Sequence, residues 1–151
     1  TVRKGVIALG ALVGFALIVW GKAEADFIPL WTPPPWGRSA AHVAMPFAFI
    51  LLAAAYVPKN RIRRFVRNPM LAAIILWAFS HLCANGDLDS ALLFGGFLIF
   101  AGVDWWSLSR RSRRPGPSGG LTSDAVTVFV GLVAFVAVLM LHPYLFGANA
   151  G

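Results

Sequence analysis

Five apolar runs, each near the length needed to cross a lipid bilayer and each ended by a short polar segment, narrow what this chain can fold into. They fall at about Gly5 to Trp20, Ser39 to Val57, Met70 to Asn85, Leu88 to Trp106 and Ala125 to Leu141. Hydrocarbon offers the backbone no water to hydrogen-bond with, so runs of this kind are expected as helices. The rest of the composition agrees: 58% of the 151 residues are hydrophobic and 13% charged, too little polar surface to cover a soluble domain of this size. The expected fold class is all-α, a polytopic transmembrane helix bundle of five helices in a lipid bilayer. It forms a single domain over residues 1–151.

A net charge of +7 raises the question of nucleic acid. Eleven of the thirteen basic residues, however, sit in three short segments beside apolar runs: Arg3 and Lys4, the stretch from Lys59 to Arg67, and Arg110 to Arg114. That arrangement carries topology, not a nucleic-acid surface. If every run spans, these three segments share one side, opposite Lys22 and Arg38. The positive-inside rule then makes the N-terminus cytoplasmic and the C-terminus periplasmic, in a bacterial inner membrane. One cysteine, Cys83, excludes an internal disulfide.

Between the runs, residues Gly21 to Gly37 are expected to be non-helical, because the prolines of Trp31-Thr32-Pro33-Pro34-Pro35-Trp36 lack donors and fix φ; the tryptophans suit the headgroup layer. Ser39 is the expected N-cap of the second helix, and Pro46 is expected to kink it. Asn85-Gly86-Asp87-Leu88-Asp89 reads as a tight turn, with Gly86 in the left-handed position and Asp87 or Asp89 capping the next helix. Runs three and four therefore form an antiparallel hairpin. Pro115 to Gly120 reads as a flexible polar loop, Thr122, Ser123 or Asp124 as the cap of the last helix, and His142-Pro143 as its end. Asp104 is expected to pair with an arginine of the loop that follows it.

The third run holds the most informative residue, His81, because an ionisable group inside an apolar helix is costly without a partner or a task. With five spans, all three histidines, His42, His81 and His142, fall in the outer half of the bilayer. At about 1.5 Å per residue, His81 and Gly95 lie at similar depth on either side of the hairpin, roughly 7 Å from the turn. Trp77, His81 and Asn85 share a face by their i, i+4, i+8 spacing. With Gly95 and Gly96 across from them, these residues outline a space for a flat macrocycle, and imidazole is a common axial ligand of haem iron. An interhelical hydrogen bond is the other reading of His81. Headgroup solvation explains His42, interaction with the helix dipole explains His142, and packing explains Cys83. A site of all three histidines has no metal-ligand spacing signature. The sequence shows no nucleophile-base-acid constellation, phosphate loop or nucleotide fingerprint, so any chemistry has to come from a bound cofactor.

The segments Arg67-Asn68-Pro69-Met70, Leu76-Trp77-Ala78, His81-Leu82, Ala84-Asn85-Gly86-Asp87-Leu88 and Leu93-Phe94-Gly95-Gly96-Phe97-Leu98 resemble the NnrU family of bacterial membrane proteins. The likeness extends to Leu30 through Trp36 and to His142-Pro143 with Gly147. The resemblance implies a role in nitrogen-oxide (denitrification) metabolism. It also implies a relation to the plant 15-cis-ζ-carotene isomerase, a haem b membrane enzyme, in which a histidine matching His81 is an axial ligand. Where that isomerase has a cysteine three residues before the histidine, this chain has Ala78; where the family has a histidine before Pro69, it has Asn68. The family's N-terminal helix, which bears the opposite ligand, is expected to be absent. Two functions are thereby expected. One is a haem b protein ligated through His81, with His142 and His42 as weaker metal candidates, acting in nitrogen-oxide metabolism or polyene isomerisation. The other is a non-catalytic accessory subunit of a larger membrane protein complex.

Overall fold

The computed structural model of the chain describes residues 2–110 and 119–146. Six helices follow one another: α1 Val2–Glu24, α2 Gly37–Tyr56, α3 Arg61–Phe65, α4 Pro69–Ala84, α5 Leu88–Ser109 and α6 Leu121–Phe146. Four of them, α1, α2, α5 and α6, are long and apolar enough to cross a membrane. The fifth apolar helix, α4, has 16 residues and is shorter, about 24 Å at the usual rise.

Large apolar side chains such as Leu12, Phe47, Leu92, Phe100, Phe129 and Met140 are exposed along these helices. A surface of that kind suits lipid and not water. The buried core is made largely of small residues, among them Ala48, Ala54, Ala73, Ala78 and Ala101. Helices in lipid gain little from hiding apolar surface, so they associate through close backbone packing, which small side chains permit.

Helix α2 is the centre of the bundle and packs against both α4 and α6, while α5 packs on the far side of α4. Two glycines set these approaches. A Cβ on Gly37 would lie 1.9 Å from the Cys83 carbonyl oxygen, and one on Gly131 would lie 2.6 Å from the Ile50 Cα. Neither position accepts a larger residue without separating its helices.

Several element ends differ from the sequence expectation. Helix α1 runs past Gly21 to Glu24, because Lys22 is engaged with the start of α5. Helix α2 starts at Gly37 and not at Ser39; Trp36 occupies the cap position without a side-chain cap, and the contact of Gly37 with α4 fixes the start. The basic stretch, read from sequence only for its charge, contains α3, capped by Asn60, whose side chain accepts from Arg63 N at 2.7 Å. The Asn60 amide also donates to the carbonyls of Ala54 and Val57, at 2.9 and 2.6 Å, tying α3 to the end of α2. Helix α6 begins at Leu121, ahead of all three expected caps, and continues through Pro143 to Phe146. A proline this close to a helix end removes only one hydrogen bond of the last turns. Residues 115–118 of the expected polar loop, Arg111, Arg113, Arg114 and Gly147 lie outside the described residues.

The polar ends of the bundle are held by side chains from distant parts of the chain. Arg61 donates its backbone N–H to Asp124 at 2.7 Å, and its guanidinium lies 3.6 Å from the same carboxylate, joining α3 to α6. Arg110 stacks over Trp106 at 3.9 Å. The arginines expected to pair with Asp104 fall among the undescribed residues, Arg110 apart.

Candidate functional site

The site is built on the last turns of α4. Pro69 opens this helix at a position where its missing N–H costs nothing, and Asn85 ends it in an extended conformation. Asn85 closes the end twice, its backbone N–H and its side-chain amide both donating to the His81 carbonyl at 2.9 Å. The amide of Asn85 is thus committed to the helix end.

His81 is half-buried, and its Nδ1 lies 2.9 Å from the Trp77 carbonyl oxygen. A carbonyl only accepts, so this bond places the proton on Nδ1 and leaves the lone pair on Nε2. The Ser80 hydroxyl donates to the same carbonyl at 3.0 Å. An imidazole fixed by its second nitrogen in this way has the tautomer and restraint of a metal-ligating histidine.

Aromatic rings surround His81. Trp77 is 5.5 Å from it and Phe94 of α5 is 4.7 Å from it, centroid to centroid. Trp77 in turn meets Phe94 at 5.0 Å and Phe97 at 5.5 Å, both edge to face. The α5 wall beside His81 is therefore Phe94, not the expected Gly95-Gly96 pair. A Cβ on either glycine would meet open space. Gly96 instead lines a groove of about 490 Å³ between α1 and α5, with Leu17, Ile18, Gly21, Leu92 and Phe97. A second groove, of about 420 Å³, lies between α4 and α5 toward their other ends, along Leu76, Phe79, Gly102 and Trp105.

Above His81 the α4–α5 turn is clasped by the segment that precedes α2. Leu30 and Trp31 donate to the Gly86 carbonyl at 2.7 and 3.1 Å, and Leu88 donates to the Ile28 carbonyl at 2.9 Å. Gly86 does not adopt the expected left-handed conformation. It is required by proximity, since a Cβ there would lie 1.9 Å from the Trp31 carbonyl oxygen. Asp87 is the N-cap of α5, accepting from Ser90 N at 3.0 Å.

Lys22 completes this end of the molecule. Its ammonium pairs with Asp89, lies 3.6 Å from Asp87 and donates to the Ser90 hydroxyl at 3.0 Å. Burial alone would push the Asp87 carboxyl up. Hydrogen bonding with Asp89 and Ser90, together with the Lys22 charge, outweighs it and holds Asp87 well below the usual carboxylate range.

A family model described as NnrU protein matches residues 2–150. The chain belongs to the NnrU family. Comparison with curated proteins and with solved structures gives no match.

Within this NnrU-family bundle, the three histidines have different surroundings. His42 is exposed on α2. His142, near the end of α6, is half-buried with its ring 5.0 Å from Phe146. Among the described residues, no group of three or more His, Cys, Asp or Glu is placed to hold a metal ion. Cys83 is half-buried and contributes its carbonyl to the Gly37 contact.

Sequence reasoning passed over Lys22, Phe94 and the Arg61–Asp124 pair. For Lys22 a signal was present: a lysine and two aspartates end neighbouring apolar runs on the same side of the topology.

Proposed function

We propose that this NnrU-family protein is a five-span protein of a bacterial inner membrane that holds haem b through His81. The observation that carries the reading is the Nδ1–H bond to the Trp77 carbonyl, which leaves Nε2 as a ready donor within an aromatic surround. The donor chemistry fits iron, and the rings of Trp77 and Phe94 fit the face of a planar, apolar macrocycle. In this reading α4 serves as the fifth span, and the clustered arginines support a cytoplasmic N-terminus and a periplasmic C-terminus.

The protein's own residues bind and orient. Trp77 and Asn85 hold the last turn of α4, and with it the position of His81. Phe94 and Phe97 exclude water. When bound, the haem supplies the redox change and the Lewis acidity that the side chains lack. The reaction we assign is cis–trans isomerisation of a polyene lipid. The support for a lipid over a nitrogen oxide is the pair of apolar grooves on α5, which match an elongated apolar molecule.

The test is the absorption spectrum of the purified protein, oxidised and reduced. A Soret band in the wild type that is lost in His81→Ala supports the reading. A colourless, stable wild type that purifies with a partner overturns it and favours an accessory subunit of a larger membrane complex.

A further inference from the structure

We infer that the groove between α4 and α5 holds an acyl chain of an anionic phospholipid, whose phosphate rests on Arg67 and Arg110. Both grooves on α5 accept an elongated apolar chain, but their ends differ. The one beside α1 finishes at Lys22 and Asp89, whose charges already balance each other. The one beside α4 finishes toward the arginines. Its lining runs from Phe79 to Ala72 on α4, about 10 Å at the usual rise, and faces Gly102 and Trp105 on α5. Arg67 directly precedes Asn68, the N-cap of α4, and Arg110 is the C-cap of α5. In an antiparallel hairpin these two positions stand at the same mouth.

Charge selects the headgroup. Asp124 is taken up by Arg61, and neither Arg67 nor Arg110 pairs with a carboxylate among the described residues. Half-buried Asp104 is the other acid at this end, and the cations outnumber it. Arg110 lies over the ring of Trp106, a residue type that favours the headgroup layer. A basic mouth on an apolar groove between helices is the arrangement that retains an anionic lipid. The chain itself has room, since a Cβ on Gly102 would meet open space and Phe79 is exposed along the opposite wall. Glycine here leaves width between helices, where Gly37 and Gly131 permit contact. Arg61, Arg63 and Arg64 belong to another face, because α3 packs against α2 and α6.

The experiment is native mass spectrometry of the intact protein in detergent, titrated with phosphatidylglycerol and with phosphatidylcholine of the same chains. Phosphatidylglycerol is expected to bind roughly thirtyfold more tightly, two arginines contributing about fivefold each. Arg67→Gln combined with Arg110→Gln is expected to bring the two lipids close to parity. Arg63→Gln combined with Arg64→Gln removes the same charge from α3 and is expected to leave the preference intact. Gly102→Leu is expected to weaken both lipids without lowering the melting temperature of the lipid-free protein, because the new side chain fills the groove and meets no neighbour. Equal binding of the two lipids by the wild type, a preference lost equally in the α3 pair, or unchanged binding in Gly102→Leu overturns the inference. None of these measurements depends on haem, so the outcome is independent of the reading of His81.

Discussion

At the scale of single residues, chemistry and anchoring are divided between neighbours. His81 is the donor, and its orientation depends on a carbonyl one turn earlier that Ser80 shares. Asp87, six residues on, does no chemistry; it caps α5 and receives Lys22. Its carboxyl is held below the ordinary value of 3.8, so its charge stabilises the folded state fully above that value, and the contribution is lost as pH falls through the range beneath it. The detergent-solubilised protein is therefore expected to lose thermal stability below about pH 4. Asp87→Asn keeps a good cap but removes the titration, so its melting temperature should change less over the same acid range. Equal acid sensitivity in the two proteins would assign the loss to other groups. His81 was legible in the sequence because a lone histidine in an apolar run stands out, and Trp77 because i, i+4 spacing puts it on the same face. Phe94 was not. A helix that is apolar all round has no polar face to fix its rotation, so nothing local indicated whether phenylalanine or glycine of α5 would meet His81.

Among the elements, α1 differs from the rest because its hydrophobic length is almost wholly unburied and its polar hold lies at one end. Lys22 bridges it to the first turn of α5 through Asp89, Asp87 and Ser90. Replacing Lys22 with methionine and Asp89 with asparagine, singly and together, should give a coupling free energy of about 0.5–3 kcal/mol in a double-mutant cycle of unfolding. Additive effects would mean that the pair does not hold α1. The same interaction explains why the end of α1 was misplaced from sequence. Read locally, the apolar run ends at Trp20, whereas the partner that holds the next turn, Asp89, lies 67 residues from Lys22. Helix α3 was missed for a different reason. Its cap, Asn60, is an ordinary N-cap residue ahead of Arg63, but the dense arginines read as topology and not as a helix. The long apolar helices were recognised because length in hydrocarbon admits few alternatives to a helix, and this holds whatever the packing.

For the whole molecule, the alternating helices gather the Arg61–Asp124 pair at one end, and Lys22, Asp87 and the Trp-Pro segment at the other. Fusing a reporter behind Gly151 tests the proposed orientation: alkaline phosphatase should be active there and a cytoplasmic fluorescent reporter dark, and the opposite pattern would invert the topology. The bundle also has a feature that concerns its surroundings more than its interior. Helix α4 falls several ångströms short of the roughly 30 Å hydrocarbon layer, while the helices beside it are longer. A bilayer meeting so short a span either thins or is kept away from its end. Here the extended stretch from Ile28 to Trp31 lies across the turn that follows α4, bonded to it on both strands of the crossing. In the proposed five-span reading, the missing depth is made up by peptide instead of lipid, and His81 lies beneath a fixed protein cover.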